Sequence, residues 1–207
     1  AFTGETTHFN PYFGPQAGHT FRLSLTQSLP VSASFFRNTT ARADLRKYFY
    51  FGGATLLALR FEGWASRGRD PYVFYHGGNN QVRSSYYYNI ISTEGWFFNA
   101  EFRFPLINVA STILGPVGPV RGVLFFDITR AKLDGYPAKF YLYSDSYRSP
   151  SSFEAMGSYG YGLQFFLFGL PIHIEFAKRL NWTDISRLLD FQGYGSFETK
   201  FWIGLDF

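Results

Sequence analysis

The feature that most constrains the fold of this chain is an alternation of apolar and polar residues that recurs along most of its length. Around residue 102, for example, Phe98, Phe102 and Phe104 share one side, while Glu101 and Arg103 share the other. A period of two residues is that of a β-strand with one apolar and one polar face. The pattern therefore predicts an all-β protein.

Runs of this kind recur roughly eight times, with turn signals between them. They centre near residues 23, 45, 60, 102, 126, 163, 174 and 201. Short turns at 51–54 and 169–171 contrast with long loops at 68–95, 134–155 and 184–194. We predict an antiparallel meander of about eight strands in a single domain, residues 1–207, with residues 1–16 as an N-terminal lead-in.

Composition favours a membrane setting for this meander. Aromatic residues make up 22% of the chain, with 26 Phe and 15 Tyr. Aromatic rings are typical of membrane interfaces, and alternate polar residues explain a mean hydropathy of only −0.10. Strands of about 11 to 15 residues suit a tilted transmembrane strand. The sequence thus predicts a transmembrane β-barrel of the outer-membrane type, and the alternative is a soluble antiparallel sandwich with a charged outer face.

Charged residues of both signs fall on the polar side of the predicted strands. On this face we place Arg22, Arg42, Asp44, Arg46, Arg60, Glu62, Glu101, Arg103, Arg121, Asp127, Glu175 and Glu198. Unpaired charges in a barrel interior would be costly, so mixed signs indicate a paired, wetted interior.

The sequence shows no recognisable catalytic or cofactor-binding pattern. It has no cysteine, and its four histidines lack metal-ligand spacing. No Gly-x-Ser-x-Gly elbow occurs, and a net charge of +4 spread along the chain does not indicate nucleic-acid binding. We therefore predict no enzyme activity, no metal and no cofactor.

The longest predicted loop contains a polar, glycine-rich stretch with one arginine, from Gly77-Gly78 through Val82-Arg83. Loops longer than about 12 to 15 residues are usually functional or disordered. This stretch resembles the Gly-Gly...Val-Arg-Gly-aromatic motif on the sixth extracellular loop of outer-membrane assembly and translocation barrels of the BamA and TamA type, which include the two-partner secretion pores. Residues 98–106, 122–127 and 158–177, with the terminal Phe207, resemble later strands of the same family.

The resemblance implies particular roles for several residues. In the family the loop folds back into the lumen, so Arg83 would pair with Asp127, with Glu101 beside it. Lys200, Leu205 and Phe207 would form the C-terminal strand signal. The chain departs from the family pattern at Ser84, where the motif has glycine, and at Trp202, where the C-terminal signal has glycine. The alternatives are that Arg83 is a surface loop arginine and that Asp127 and Glu101 belong to a general ladder of interior charges.

Size then creates a conflict. An eight-stranded barrel is just filled by its own side chains, which leaves no room for a long loop. We therefore expect the chain to be the C-terminal half of a barrel of about sixteen strands. Its other half would be an upstream region, a second copy or another chain. If the chain were complete and monomeric, the loop would lie outside and the Arg83–Asp127 pair would be broken.

The function implied by the resemblance is the insertion or translocation of proteins at the bacterial outer membrane, without bond chemistry. The expected partners are outer-membrane lipid and lipopolysaccharide, substrate outer-membrane proteins, and other subunits or the missing half of the barrel. A structural or anchoring barrel subunit of a larger envelope complex is the alternative.

Overall fold

The computed structural model describes residues 1–10, 14–29, 31–32, 35–107, 110–112, 115–117, 119–135, 154–167, 170–189 and 191–204. These residues form an all-β structure in which every strand pairing is antiparallel. No helix in the described ranges is long and apolar enough to cross a membrane. The sequence-based prediction of an antiparallel all-β meander is confirmed.

Eight long strands form the body of the main sheet, and each contains one of the alternating runs of the sequence. They are β3 (Gly14–Gln27), β4 (Asn38–Gly52), β5 (Thr55–Gly68), β8 (Glu94–Ile107), β11 (Val120–Lys132), β12 (Ala155–Leu167), β13 (Leu170–Trp182) and β14 (Gln192–Ile203). Each pairs with its neighbours in chain order, as in a meander.

Short strands complete the fold. Two of them, β1 (Phe2–Glu5) and β2 (His8–Asn10), both pair with β3 and bring the main sheet to ten strands. The lead-in is therefore part of the sheet, and its brief runs are too short to show alternation. Outside the main sheet lie two hairpins, formed by β6 (Phe74–His76) with β7 (Ile90–Ser92), and by β9 (Ala110–Thr112) with β10 (Gly115–Val117).

Turn chemistry explains the tight link between β4 and β5. Gly53 and Ala54 form a two-residue turn, with φ of 56° and 65°. Two central residues with positive φ match the right-handed twist of the strands that they join. The turn that the sequence predicts at 51–54 is therefore present, and it fixes the register of this hairpin.

The two faces of the main sheet differ sharply in chemistry. We call one the charged face, which is defined by Arg60, Glu62, Asn99, Glu101, Arg103, Asp127 and Glu175, all of them buried. Successive side chains in a strand point to opposite faces. The other face, here the apolar face, carries large hydrophobic side chains that remain exposed, including Leu124, Tyr161 and Phe201, at 51, 51 and 63% of their surface.

The charged face is buried because residues 69–93, the 69–93 loop, lie across it. The loop contains the β6–β7 hairpin, and its backbone accepts hydrogen bonds from the sheet. Arg60 Nη1 donates to the carbonyl of Asn80 at 3.0 Å, and the Asn99 amide donates to the carbonyl of Gln81. The longest connection is thus a folded layer on the sheet.

In the part of the chain that the structure describes, the two edge strands of the main sheet are not paired with each other. Within the described residues, β14 pairs with β13 alone, and β1 lies at the opposite edge of the sheet. Closure into a barrel is therefore not observed in this part of the chain. The long strand β14 presents one open edge.

Candidate functional site

The site begins with a backbone turn that only glycine permits. Gly77 and Gly78 have φ of 116° and 101°. A Cβ atom on Gly77 would meet the carbonyl of Tyr86, and one on Gly78 would meet the ring of Tyr87. Gly78 also bridges to Val82, and the amide of Gln81 donates to the Gly78 carbonyl at 3.0 Å. The glycine pair therefore sets the turn that presents Val82 and Arg83.

Val82 anchors the turn through apolar contact. Its side chain is fully buried in a hydrophobic cluster that combines the loop with the sheet. The other members are Trp64, Phe74, Ile90, Phe97, Ala131 and Met156. Burial of a valine side chain contributes on the order of 1.5 to 3 kcal/mol, so this contact holds the loop down on one side of Arg83.

Arg83 is the centre of the site, with only 1% of its surface exposed. Its Nη1 atom donates to Asp127 Oδ1 at 2.8 Å, and its Nε atom donates to Glu175 Oε2 at 2.9 Å. Its Nη2 atom donates to Glu101. These carboxylates lie on β8, β11 and β13, so one loop side chain binds three strands of the sheet.

Electrostatics explain why a buried guanidinium is stable here. Burial by itself lowers the pKa of Arg83, but the charges of Asp127, Glu175 and Glu101 outweigh it and raise that pKa well above its usual value. The guanidinium also lies 4.2 Å from the ring centroid of Phe125. A planar fork of donors suits several carboxylates at once, which an ammonium group could not match.

The carboxylates are in turn held by other groups. Asp127 accepts hydrogen bonds from Asn99 Nδ2 and Ser158 Oγ, each at 2.8 Å, and from the Arg83 amide at 3.3 Å. Glu101 also pairs with Arg103 Nη2 at 2.6 Å. Asn99, Ser158 and Arg103 lie on the sheet, so the strands themselves help to position these acceptors.

A second charged cluster lies on the same face toward β4. Arg60 pairs with Asp44 at 3.0 Å and with Glu62 at 2.8 Å, while Arg42 pairs with Glu62 at 2.5 Å. Since Arg60 also donates to the carbonyl of Asn80, this cluster binds the loop just before the Arg83 turn. The loop is therefore held beside its arginine by a hydrogen bond at Asn80 and by apolar contact at Val82.

His76 on the β6–β7 hairpin is buried without a hydrogen bond to either ring nitrogen. Its ring stacks on Trp64 with the centroids 3.6 Å apart. Burial, together with the nearby cations Arg42 and Arg60, lowers the pKa of His76 to about 3. The ring is therefore neutral when the loop is in place, and it packs as an aromatic group.

The structure brings together most of the residues that the sequence singled out. Arg83, Asp127 and Glu101 meet at one point, and the Gly77–Gly78 turn and Val82 support them. Glu175 is a third partner of Arg83 that sequence reasoning placed on the right face without assigning it to the arginine. The missing information was the stagger of β13 relative to β8, which alternation alone does not give.

The departure at Ser84 has a structural role. The Ser84 hydroxyl donates to the carbonyl of Gly157 at 2.9 Å, which ties the loop to β12. A glycine at this position could not make that bond. Ser84 therefore adds a contact between the 69–93 loop and the sheet.

The residues of the proposed C-terminal signal fare differently. Lys200 lies on β14 directly opposite Glu175, pairs with Glu198 at 2.6 Å, and lies 5.3 Å from the ring centroid of Tyr86. Leu205 and Phe207 lie outside the described residues. Lys200 thus joins the edge strand to the 69–93 loop.

This arrangement can hold a loop against a sheet. The ionisable groups at its centre are buried and bound to one another, so they are engaged in positioning. In the described part of the chain, no group of three or more His, Asp or Glu side chains is arranged to hold a metal ion.

Comparisons of the chain with family descriptions, curated proteins and solved structures found no match.

Proposed function

We propose that this chain forms the wall of a bacterial outer-membrane β-barrel of the assembly and translocation type. Its work is mechanical, and it inserts or translocates proteins without breaking or forming covalent bonds. The 69–93 loop braces the wall from inside through Arg83, and membrane lipid surrounds the apolar face.

The observation that carries this proposal is the inverted distribution of side chains. Charges are buried on one face of the sheet, while large hydrophobic residues such as Phe102, Leu124 and Phe201 are exposed on the other. Soluble monomers rarely expose apolar patches above a few hundred Å². An apolar outside with a polar inside is the arrangement of transmembrane barrels.

The presence of a folded layer on the charged face supports a barrel larger than eight strands. A closed eight-stranded barrel has room for its own side chains and nothing more. Here a folded hairpin and the Arg83 turn occupy the charged face. Further strands, from an upstream region, a second copy or another chain, would complete the wall to about sixteen strands.

The open edge of β14 supports a role in handling other strands. An unpaired strand offers a row of backbone donors and acceptors to an incoming chain. In a membrane such an edge must be satisfied, because lipid offers no hydrogen bonds. We propose that substrate strands pair here, near the seam of the barrel.

A second candidate function is a structural or anchoring barrel that holds a partner at the envelope. The observation that favours it is the close cover of the charged face by the 69–93 loop, which leaves Arg83, Glu101 and Asp127 at most 1% exposed. A sheet whose charged face is covered in this way suits an anchoring barrel as well as a translocation barrel.

Depletion of the protein from its native cell separates the two candidates. If it assembles or translocates proteins, quantitative proteomics of the outer membrane will show the loss of many other barrels. An unchanged membrane proteome, with loss of one associated complex, would reject assembly and favour the anchoring role.

A charge exchange tests the brace itself. We expect Arg83→Glu to displace the loop and disable the protein, because it would place a fourth carboxylate beside Asp127, Glu101 and Glu175. Breaking a buried ion pair costs about 3 to 5 kcal/mol. Adding Asp127→Arg should restore protection of the loop from protease only in part, since the other two carboxylates remain.

The matched control is Arg69→Glu, an exposed arginine in the same loop. It should leave both protease resistance and function unchanged. A double variant that recovers nothing over Arg83→Glu alone would remove the pairing from the proposed mechanism.

A further inference from the structure

The apolar face ends in basic side chains at the end of the sheet that carries the long loops. Arg67 lies on β5, and Arg130 and Lys132 lie on β11, with β8 between them. The register places Glu94 opposite both Ala65 and Lys132, so these side chains share the apolar face. We call Arg67, Arg130 and Lys132 the basic rim.

The basic rim is exposed and has excess positive charge. Glu94 is shared, since one of its oxygens binds Arg67 and the other lies 3.4 Å from Lys132 Nζ. Arg67 and Lys132 remain 74 and 59% exposed. Arg130 is exposed and has no ion pair within the described part of the chain. Three cations and one carboxylate give these four side chains a net positive charge.

Apolar surface begins directly beside these charges. Arg130 lies opposite Trp96 in the strand register, and Trp96 stacks on Phe61 with the ring centroids 6.3 Å apart. Phe61 is 39% exposed and points out from the same face. A molecule with an anionic head and an apolar tail could therefore contact the cations and the rings at once.

We propose that the basic rim binds the phosphate-bearing headgroup of a lipid whose acyl chains lie on the apolar face. The inference rests on the proposed function, because it requires that face to contact a membrane. An acidic protein or a nucleic acid would match the charges, but it would leave the adjoining rings exposed. Phosphate on an amphiphile matches both features, and Trp at the boundary is typical of a membrane interface.

The test uses the full chain in a neutral detergent, with phosphatidylglycerol or phosphatidylcholine as the probe and native mass spectrometry as the readout. Wild-type protein should bind the anionic lipid more tightly than the zwitterionic one. Basic residues near a lipid surface contribute about fivefold each in affinity. The variant Arg67→Gln/Arg130→Gln/Lys132→Gln should lose this preference, while its far-UV circular dichroism stays unchanged.

The matched control is Lys47→Gln/Lys178→Gln, which removes two cations on the same face that lie over the rings of Phe49 and Phe197. It should keep the preference for phosphatidylglycerol. Equal preference in the rim variant and in wild type would overturn the proposal. Displacement of the lipid by inorganic phosphate alone would also overturn it, because the site would then be one for a free anion.

A separate measurement keeps the failure of this inference apart from the failure of the proposed function. Wild-type protein is reconstituted in vesicles of phosphatidylcholine and washed with alkaline carbonate. Retention in the membrane without any headgroup preference would reject the basic rim alone. Release from the vesicles would reject the membrane barrel and the basic rim together.

Discussion

At the residue scale, buried basic side chains of the 69–93 loop are stabilised in two ways. Arg83 keeps its charge because three carboxylates surround it. His76, which stacks on Trp64 and has cations nearby, gives up its charge instead. The two residues hold the same loop, so their protonation states are part of the docking equilibrium.

His76 should make docking of the loop sensitive to acid. Its pKa is about 3 when docked, below its usual value of 6.5, so the undocked state binds more protons between these values. Docking is then fully favourable above about pH 6.5 and weakens by about 1.4 kcal/mol per pH unit below it. Hydrogen exchange of the 69–93 loop between pH 7 and pH 4 measures this dependence.

The comparison is with His76→Phe, which keeps an aromatic ring and removes the titration. This variant should show a flatter dependence on pH, while His8→Phe, at an exposed position, should behave like wild type. An equal slope in wild type and His76→Phe would exclude His76 as the source of the acid sensitivity.

At the element scale, the 69–93 loop is a folded layer that packs on the main sheet. The His76 ring of its hairpin, the Gln81 carbonyl of its glycine turn and the Ser84 hydroxyl each make a separate contact with the strands below. No single contact orders so long a segment, because each ordered residue costs about 1 to 2 kcal/mol of backbone entropy. The loop holds because charge, apolar burial and backbone geometry act together.

Gly78→Ala tests the backbone part of this arrangement. A side chain at φ of 101° is strained, and its Cβ atom would meet the ring of Tyr87. We expect docking of the loop to weaken by about 1 to 3 kcal/mol. Limited proteolysis within residues 69–93 reports the change.

Gly193→Ala provides the control, because a Cβ atom there meets Lys178 at an ordinary 3.4 Å and the backbone is unstrained. It should leave cleavage of the loop unchanged. If Gly78→Ala were equally resistant to protease, the glycine turn would not be needed for docking.

The elements that the sequence could predict are the strands long enough to show the apolar–polar alternation over many residues. Alternation located all eight long strands and assigned Glu101, Asp127 and Glu175 to one face, because burial of one face imposes a period of two. It missed β1 and β2, which are too short to show a period. It also missed the β6–β7 hairpin, whose residues pack on the sheet through Trp64 and not through a pattern of their own.

The site was predictable in part for the same reason. The glycine pair and the lone arginine in a long loop were visible as a motif, and the resemblance supplied Asp127 and Glu101 as partners. The bond to Glu175 depends on the stagger between strands that are far apart in sequence. The bond from Ser84 to Gly157 depends on the height of the loop above β12. A local sequence pattern predicts neither the stagger of the strands nor the height of the loop.

At the scale of the whole molecule, the sheet is a wall with two different surroundings. Its charged face needs a polar layer, which the 69–93 loop provides, and its apolar face needs an apolar one. The proposed membrane supplies the second. The two faces should therefore differ in the substitutions that they tolerate.

Leu124→Arg tests that asymmetry. Leu124 is exposed near the centre of β11 on the apolar face. An arginine at the midplane of a transmembrane barrel costs about 2 to 4 kcal/mol. We expect a lower folding yield in phosphatidylcholine vesicles, measured by the protease-protected fraction.

Leu124→Asn is the companion variant, since it removes the apolar side chain without adding charge and should cost less than the arginine. Equal yields for wild type and Leu124→Arg would contradict a lipid environment at this position. A soluble sandwich would tolerate the arginine, because its outer face contacts water.

The contacts of Arg83 also set an order of events during folding. Its three carboxylates lie 18, 44 and 92 residues further along the chain. The last of them enters the sheet only when β13 pairs with β12, so the arginine site cannot be complete before that hairpin forms. The 69–93 loop is therefore synthesised early but docks fully only late, after β13 has joined the sheet. A fully docked loop thus requires that the strands up to β13 are already paired.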